Sequence, residues 1–158
     1  GIFCAAYVSL LAGFAMLLLA MEQGSWLVLA FVLVVIANDV GGYVAGVLLG
    51  RTPLAPTISP KKSWEGLGGS LVLAGAVGAG MLHWFVDGGQ WWGGVLLGLA
   101  AVLTATTGDL AESLLKRDLG LKDMGSLLPG HGGIMDRLDS LLITAPVSYV
   151  VLRLITGQ

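Results

Sequence analysis

Apolar residues fill five stretches of the chain, at about 2–21, 26–50, 66–86, 91–108 and 134–155. A helix needs roughly 20 such residues to cross the hydrocarbon core of a bilayer. Each stretch reaches or approaches that length, which predicts about five spanning helices. The first and second are separated only by Glu22-Gln23-Gly24-Ser25, and the third and fourth only by Asp87-Gly88-Gly89-Gln90. The other two connections, 51–65 and about 109–133, are long and polar. The pattern therefore predicts a zigzag with tight turns on one side and long loops on the other.

Composition turns this pattern into a fold class. Hydrophobic residues make up 56% of the 158 and charged residues only 11%, where an average soluble domain carries about 25% charged. The expectation is an all-α, polytopic transmembrane helix bundle, a single domain over 1–158. Arg51, Lys61, Lys62, Lys116, Arg117, Lys122 and Arg137 fall on the long-loop side and only Arg153 opposite. That asymmetry makes the two long loops cytoplasmic. Trp26, Trp64, Trp84, Trp91 and Trp92 stand near predicted span ends, as interfacial tryptophans do. A net charge of −2 gives no footprint for nucleic acid. One cysteine, Cys4, excludes an internal disulfide and a thiolate metal cluster. The start, Gly1-Ile2-Phe3-Cys4, has no methionine and no basic stretch. It reads as a point inside a longer membrane protein, or as a chain whose leader is absent. Gly42, Gly46 and Gly50, like Gly94 and Gly98, repeat at four-residue spacing. This permits close helix packing, within the chain or between subunits.

Ten of the eighteen charged residues lie between Asp109 and Asp139. Asp109, Glu112, Ser113 and Lys116 share one face if the fourth helix continues past its apolar part. Trp91 to Asp109 spans about 27 Å of helix, so Asp109 emerges near the membrane boundary. Asp136, Asp139 and Ser140 share a face at the start of the fifth helix. Carboxylates at the edge of lipid are costly unless compensated. Asp109, Asp136 and Asp139 could hold a hard cation such as Mg²⁺, which accepts one or two carboxylates plus waters and phosphates. A structural ion network with Lys116, Arg117 and Arg137 explains the same residues equally well. Between the two helices, Gly130-His131-Gly132-Gly133 can turn backbone N–H groups toward an anion, or be a plain glycine turn. Lys61, Lys62 and Ser63, followed by Glu65 at a helix start, could clamp phosphates or anchor topology. Asn38 and Asp39 lie near the middle of the second stretch, and an intramembrane aspartate should face an internal cavity. Asp39, Gly42, Tyr43 and Gly46 share the face that would line it. His83, beside Trp84, reads as interfacial.

Residues 113–139 place Ser113, Lys116-Arg117, Lys122-Asp123, Pro129-Gly130-His131-Gly132-Gly133 and Asp136-Arg137-Leu138-Asp139 in order. This resembles the signature of the phosphatidate cytidylyltransferases (CDP-diacylglycerol synthases), with no departure at its fixed positions. Asn38-Asp39, Gly50-Arg51 and Ser59-Pro60-Lys61-Lys62-Ser63-Trp64-Glu65-Gly66 are also similar to that family. Its members are usually much longer, so the resemblance implies the C-terminal portion of a longer protein. It implies transfer of the cytidylyl group of CTP to phosphatidic acid, giving CDP-diacylglycerol and pyrophosphate. It further implies Mg²⁺ on Asp109, Asp136 and Asp139, with a second cation possible in such a centre. Ser113, Lys116, Arg117 and Lys122 would then meet phosphates, joined by Lys61, Lys62 and Ser63. His131, Gly132 and Gly133 would lie against the nucleotide, and Asn38 and Asp39 would line the substrate site. A homodimer in a bacterial inner or plasma membrane, with a cytoplasmic site, completes the expectation. Two alternatives remain at this stage. A CTP-dependent polyprenol or lipid kinase would use similar chemistry, and a cation transporter would spread its carboxylates along a pathway.

Overall fold

The computed structural model describes residues 2–118 and 132–157. Five helices follow the apolar stretches: α1 (Ile2–Leu19), α2 (Gly24–Leu49), α3 (Trp64–Phe85), α4 (Trp91–Asp118) and α5 (Gly132–Thr156). Among the described residues, Gly24–Leu49, Trp64–Phe85 and Trp91–Ala111 are long and apolar enough to span a bilayer, with mean hydropathy 2.1, 1.4 and 1.5. The protein is a polytopic helical membrane protein. Its surface agrees: Leu48, Val72 and Leu154 are largely exposed, while Ser140, Thr144 and Ser148 of α5 are buried. Apolar groups outward in such number need lipid as their solvent.

α2 is the central helix and touches the other four. Leu27, Ala30, Phe31 and Val34 on α2 pack with Leu82 of α3, Leu97 and Val102 of α4 and Leu152 of α5. The closest approach is between α2 and α3. There a Cβ built on Gly41 would stand 2.5 Å from the carbonyl oxygen of Gly69, so backbones touch where any side chain would intervene. Gly42, Gly46 and Gly50 face Ser70, Gly66 and Ser63, and Gly94 and Gly98 face Gly78 and Ala74. Both glycine series therefore serve packing within the chain.

The zigzag is visible at both ends. Gln23, in the first tight turn, accepts a hydrogen bond from the Asp87 backbone N–H at 2.8 Å and donates to the Asp87 carbonyl at 3.4 Å. The two short turns thus meet at one end of the bundle, which leaves the 51–65 connection, the end of α4 and the start of α5 at the other. Two features differ from expectation. α4 runs ten residues beyond its apolar stretch, through Asp118, since Leu110-Ala111-Glu112 and Leu114-Leu115-Lys116 are good helix formers. The 51–65 connection is a short hairpin, with β1 (Pro53–Ala55) antiparallel to β2 (Ser59–Ser63) and pairs Pro53↔Ser63 and Ala55↔Ser59. A two-stranded sheet has only edge strands, where Pro53 and Pro60 are tolerated.

Candidate active site

A cleft opens where α2, the hairpin, α3 and α4 meet at the long-connection end, with about 650 Å³ of empty space partly open to the surroundings. Asn38, Asp39, Gly42, Tyr43 and Gly46 form one wall, the helical face that the spacing of α2 predicts. Leu54, Lys62 and Ser63 come from the hairpin, Gly66, Leu67 and Ser70 from α3, and Ala105, Thr106 and Asp109 from α4.

Each wall is held by identifiable contacts. Ser63 caps α3, its Oγ accepting from the Gly66 N–H at 3.1 Å, which satisfies one orphan donor of the first turn. Glu65 accepts from the Thr52 backbone N–H at 3.2 Å and from Thr52 Oγ1–H at 2.9 Å. The Trp64 N–H donates to the Thr52 carbonyl at 3.0 Å. Thr52 is thereby clasped to the start of α3, and the base of the hairpin is closed. Glu65 does this holding work rather than lining the cleft. Ser70 Oγ–H donates to the Asn38 carbonyl at 2.7 Å, tying α3 to α2 beside the cleft. Asn38 is buried, and its Nδ2–H donates to Asp39 Oδ1 at 3.1 Å.

The central electrostatic contact crosses the cleft. Lys62 Nζ–H donates to Asp109 Oδ2 at 2.6 Å, with the two side chains 29% and 40% exposed. Among the described residues the partner of Asp109 is thus a hairpin lysine; the side chains of Lys116, Arg117 and Arg137 lie outside them. Ser113 Oγ–H donates to the Asp109 carbonyl one turn back, at 2.8 Å. Asp39 lines the same cleft as Asp109, as an aspartate within a membrane-spanning helix that faces an internal cavity should.

Not every expected residue can be placed. Because α4 is continuous to Asp118, positions 109, 112, 113 and 116 do fall on one side of it. Asp136 and Asp139 occupy the first turns of α5, which begins at Gly132 and Gly133. The side chains of Lys61, Lys116, Arg117, Asp136 and Asp139 lie outside the described residues, as do Lys122 and His131 entirely. Among the described residues no three metal-ligating side chains cluster. Two carboxylates lining one cleft nevertheless suit Mg²⁺, which needs no more than one or two from protein. The cleft also adds residues that the first reading passed over. Ser70 follows Ser63 and Gly66 at helical spacing, and Thr106 stands three before Asp109, so periodicity alone could have found both.

Residues 1–155 match the cytidylyltransferase family. The chain is 52% identical over 154 residues to the phosphatidate cytidylyltransferase of Mycobacterium bovis, covering 98% of the chain and 50% of that relative. With the phosphatidate cytidylyltransferase of Mycobacterium leprae it shares 52% identity, over 98% of the chain and 49% of the relative. The phosphatidate cytidylyltransferase of Synechocystis is 50% identical over 119 residues, 72% of the chain and 38% of its own length. The chain spans about half the length of the mycobacterial relatives it matches.

Proposed function

The chain belongs to the cytidylyltransferase family, and on that premise we propose that it transfers the cytidylyl group of CTP to phosphatidic acid. A phosphate oxygen of the lipid attacks the α-phosphorus, the bond to the β-phosphate oxygen breaks, and pyrophosphate leaves with CDP-diacylglycerol as the product. The observation that carries this reading is the cleft in which Lys62 and Asp109 meet Asp39 at the polar end of the bundle. The relatives' printed activity supplies the substrates. CTP cannot enter lipid and phosphatidic acid cannot leave it, so a polar cleft at the boundary serves both.

In such transfers the protein mainly positions phosphates and neutralises charge. Lys62 and Ser63 present an ammonium and a hydroxyl from the hairpin, and the Thr52–Glu65 clasp fixes the backbone that carries them. Lys61 stands next to them in sequence. Ser113, Lys116, Arg117 and Lys122 extend this phosphate-binding role along α4 and the segment after it. His131, Gly132 and Gly133 lie at the entry to α5, where unpaired backbone N–H groups favour an anion. Asp109 would hold Mg²⁺ with Asp136 and Asp139, and Asp39 adds a carboxylate on the opposite wall, with room for a second cation. Bound there, Mg²⁺ supplies Lewis-acid stabilisation of charge on the phosphate oxygens. Asn38 orients Asp39 through its amide. The site faces the cytoplasm of a bacterium from its inner membrane, and the enzyme works as a homodimer.

Convergence of Asp39 and Asp109 on one cleft supports an enzyme over a transporter, which would distribute carboxylates along a path. The test is pyrophosphate release by the full-length protein in detergent. Release should require CTP, phosphatidic acid and Mg²⁺ together, and Asp109→Asn should lose it while melting at the wild-type temperature. Wild-type turnover by that variant would remove Asp109 from the chemistry.

A further inference from the structure

The Lys62–Asp109 pair poses a problem for the site as proposed. A divalent cation on Asp109 and an ammonium 2.6 Å from the same carboxylate would repel each other at close range. One must yield. The lysine is the group built to do so. Its ammonium is a compact charge on a flexible four-carbon stem, and both partners are partly exposed, so water can take over each end cheaply. The backbone beneath it is fixed. Ser63 caps α3, and Thr52 is clasped by Glu65. A change of Lys62 rotamer can therefore occur without moving the hairpin.

We propose that Lys62 is an exchangeable counter-charge. It holds Asp109 until substrate arrives, then passes to a nucleotide phosphate as the divalent cation takes the carboxylate. The inference rests on the cation reading of the preceding subsection and adds the order of events. A buried or lipid-facing carboxylate stripped of its ammonium is costly, and Asp109 stands at that boundary. Lys62 removes that cost in one state and contributes to phosphate binding in the other. Cation and nucleotide consequently favour each other's binding, as linkage requires when both act on one exchanging group.

Two binding measurements on the full-length protein in detergent test this. Mn²⁺ binding is followed by electron paramagnetic resonance without nucleotide, and labelled CTP binding by equilibrium dialysis in EDTA. Lys62→Met should bind Mn²⁺ about fivefold tighter, because no competing ammonium remains, and CTP about fivefold more weakly. Lys62→Arg keeps the charge and should show neither change in full. A static ion pair would alter Mn²⁺ affinity while leaving CTP affinity unchanged, and that outcome overturns the proposal. Unchanged Mn²⁺ affinity in Lys62→Met also overturns it. Asp109→Asn separates the two layers. If that variant loses Mn²⁺ while Lys62→Met binds as wild type, the cation reading stands and the exchange falls. If Asp109→Asn binds Mn²⁺ normally, the cation reading itself falls and takes the exchange with it.

Discussion

The contact between α2 and α3 sets the width of the cleft, and Gly41→Ala tests it. The added methyl carbon would lie 2.5 Å from the Gly69 carbonyl oxygen and 3.0 Å from both the Gly69 carbonyl carbon and Leu73 Cβ. A relaxed carbon–oxygen contact is about 3.3 Å, so the helices must part by roughly 0.8 Å. Overpacking of this kind costs about 1–3 kcal/mol. Against it stands the gain of about 0.5–1 kcal/mol from replacing glycine by alanine inside a helix. Gly68→Ala isolates the steric part, because nothing lies within 4 Å of its Cβ position on the same α3 helix. The propensity gain is common to both variants, so the difference between them is the steric cost alone. At about 2–4 °C per kcal/mol for a chain of this size, Gly41→Ala should melt roughly 2–12 °C below Gly68→Ala in detergent. Parting the walls that carry Asp39 and Ser63 should also raise the KM for CTP in Gly41→Ala only. Equal melting temperatures for the two variants would refute the close approach.

Other expectations follow from single contacts. Gln23→Ala removes two hydrogen bonds that join the short turns and should lower stability by about 1–2 kcal/mol. Its turnover at 25 °C should be unchanged, because it lies at the end away from the cleft; a loss of kcat at constant fold would contradict that placement. Thr52→Val opens the clasp to Glu65 and should speed hydrogen exchange of the hairpin amides several-fold, with little change in melting temperature, since the bond is exposed. Unaltered exchange would show that the hairpin is held by something else. Ser63→Ala removes the α3 cap and should cost about 1 kcal/mol, while Ser63→Asp, which can still accept from the Gly66 N–H, should recover most of it.

The helical framework could be read from the chain because hydrophobic length alone decides it: the five apolar stretches became five helices, and the tight turns at 22–25 and 87–90 meet through Gln23 and Asp87. The face of α2 bearing Asp39, Gly42, Tyr43 and Gly46 was equally legible, being a matter of helical period. The hairpin was not. Pro53, Pro56 and Pro60 break any alternation of apolar and polar residues, and the fold there depends on Thr52 finding Glu65, a contact with no periodic signal. The partner of Asp109 was hidden for a similar reason. Lys62 is 47 residues away in sequence, and only the packing of α4 beside α3 brings it to the carboxylate. Asp39 was expected to face an internal cavity, and helical period gave its face but not which side chains of the hairpin, α3 and α4 share that cavity.

The central claim is that the cytidylyl group of CTP, cytidine with its α-phosphorus, is passed to phosphatidic acid while the β- and γ-phosphates leave as pyrophosphate. The most direct measurement gives the full-length protein CTP labelled at either the α- or the γ-phosphorus, with phosphatidic acid vesicles and Mg²⁺, and follows label into the lipid phase. The account predicts lipid label from α-labelled CTP only, with γ label recovered as pyrophosphate and with Asp109→Asn at background. Lipid label from γ-labelled CTP would mean a kinase, and none from either would contradict the assignment.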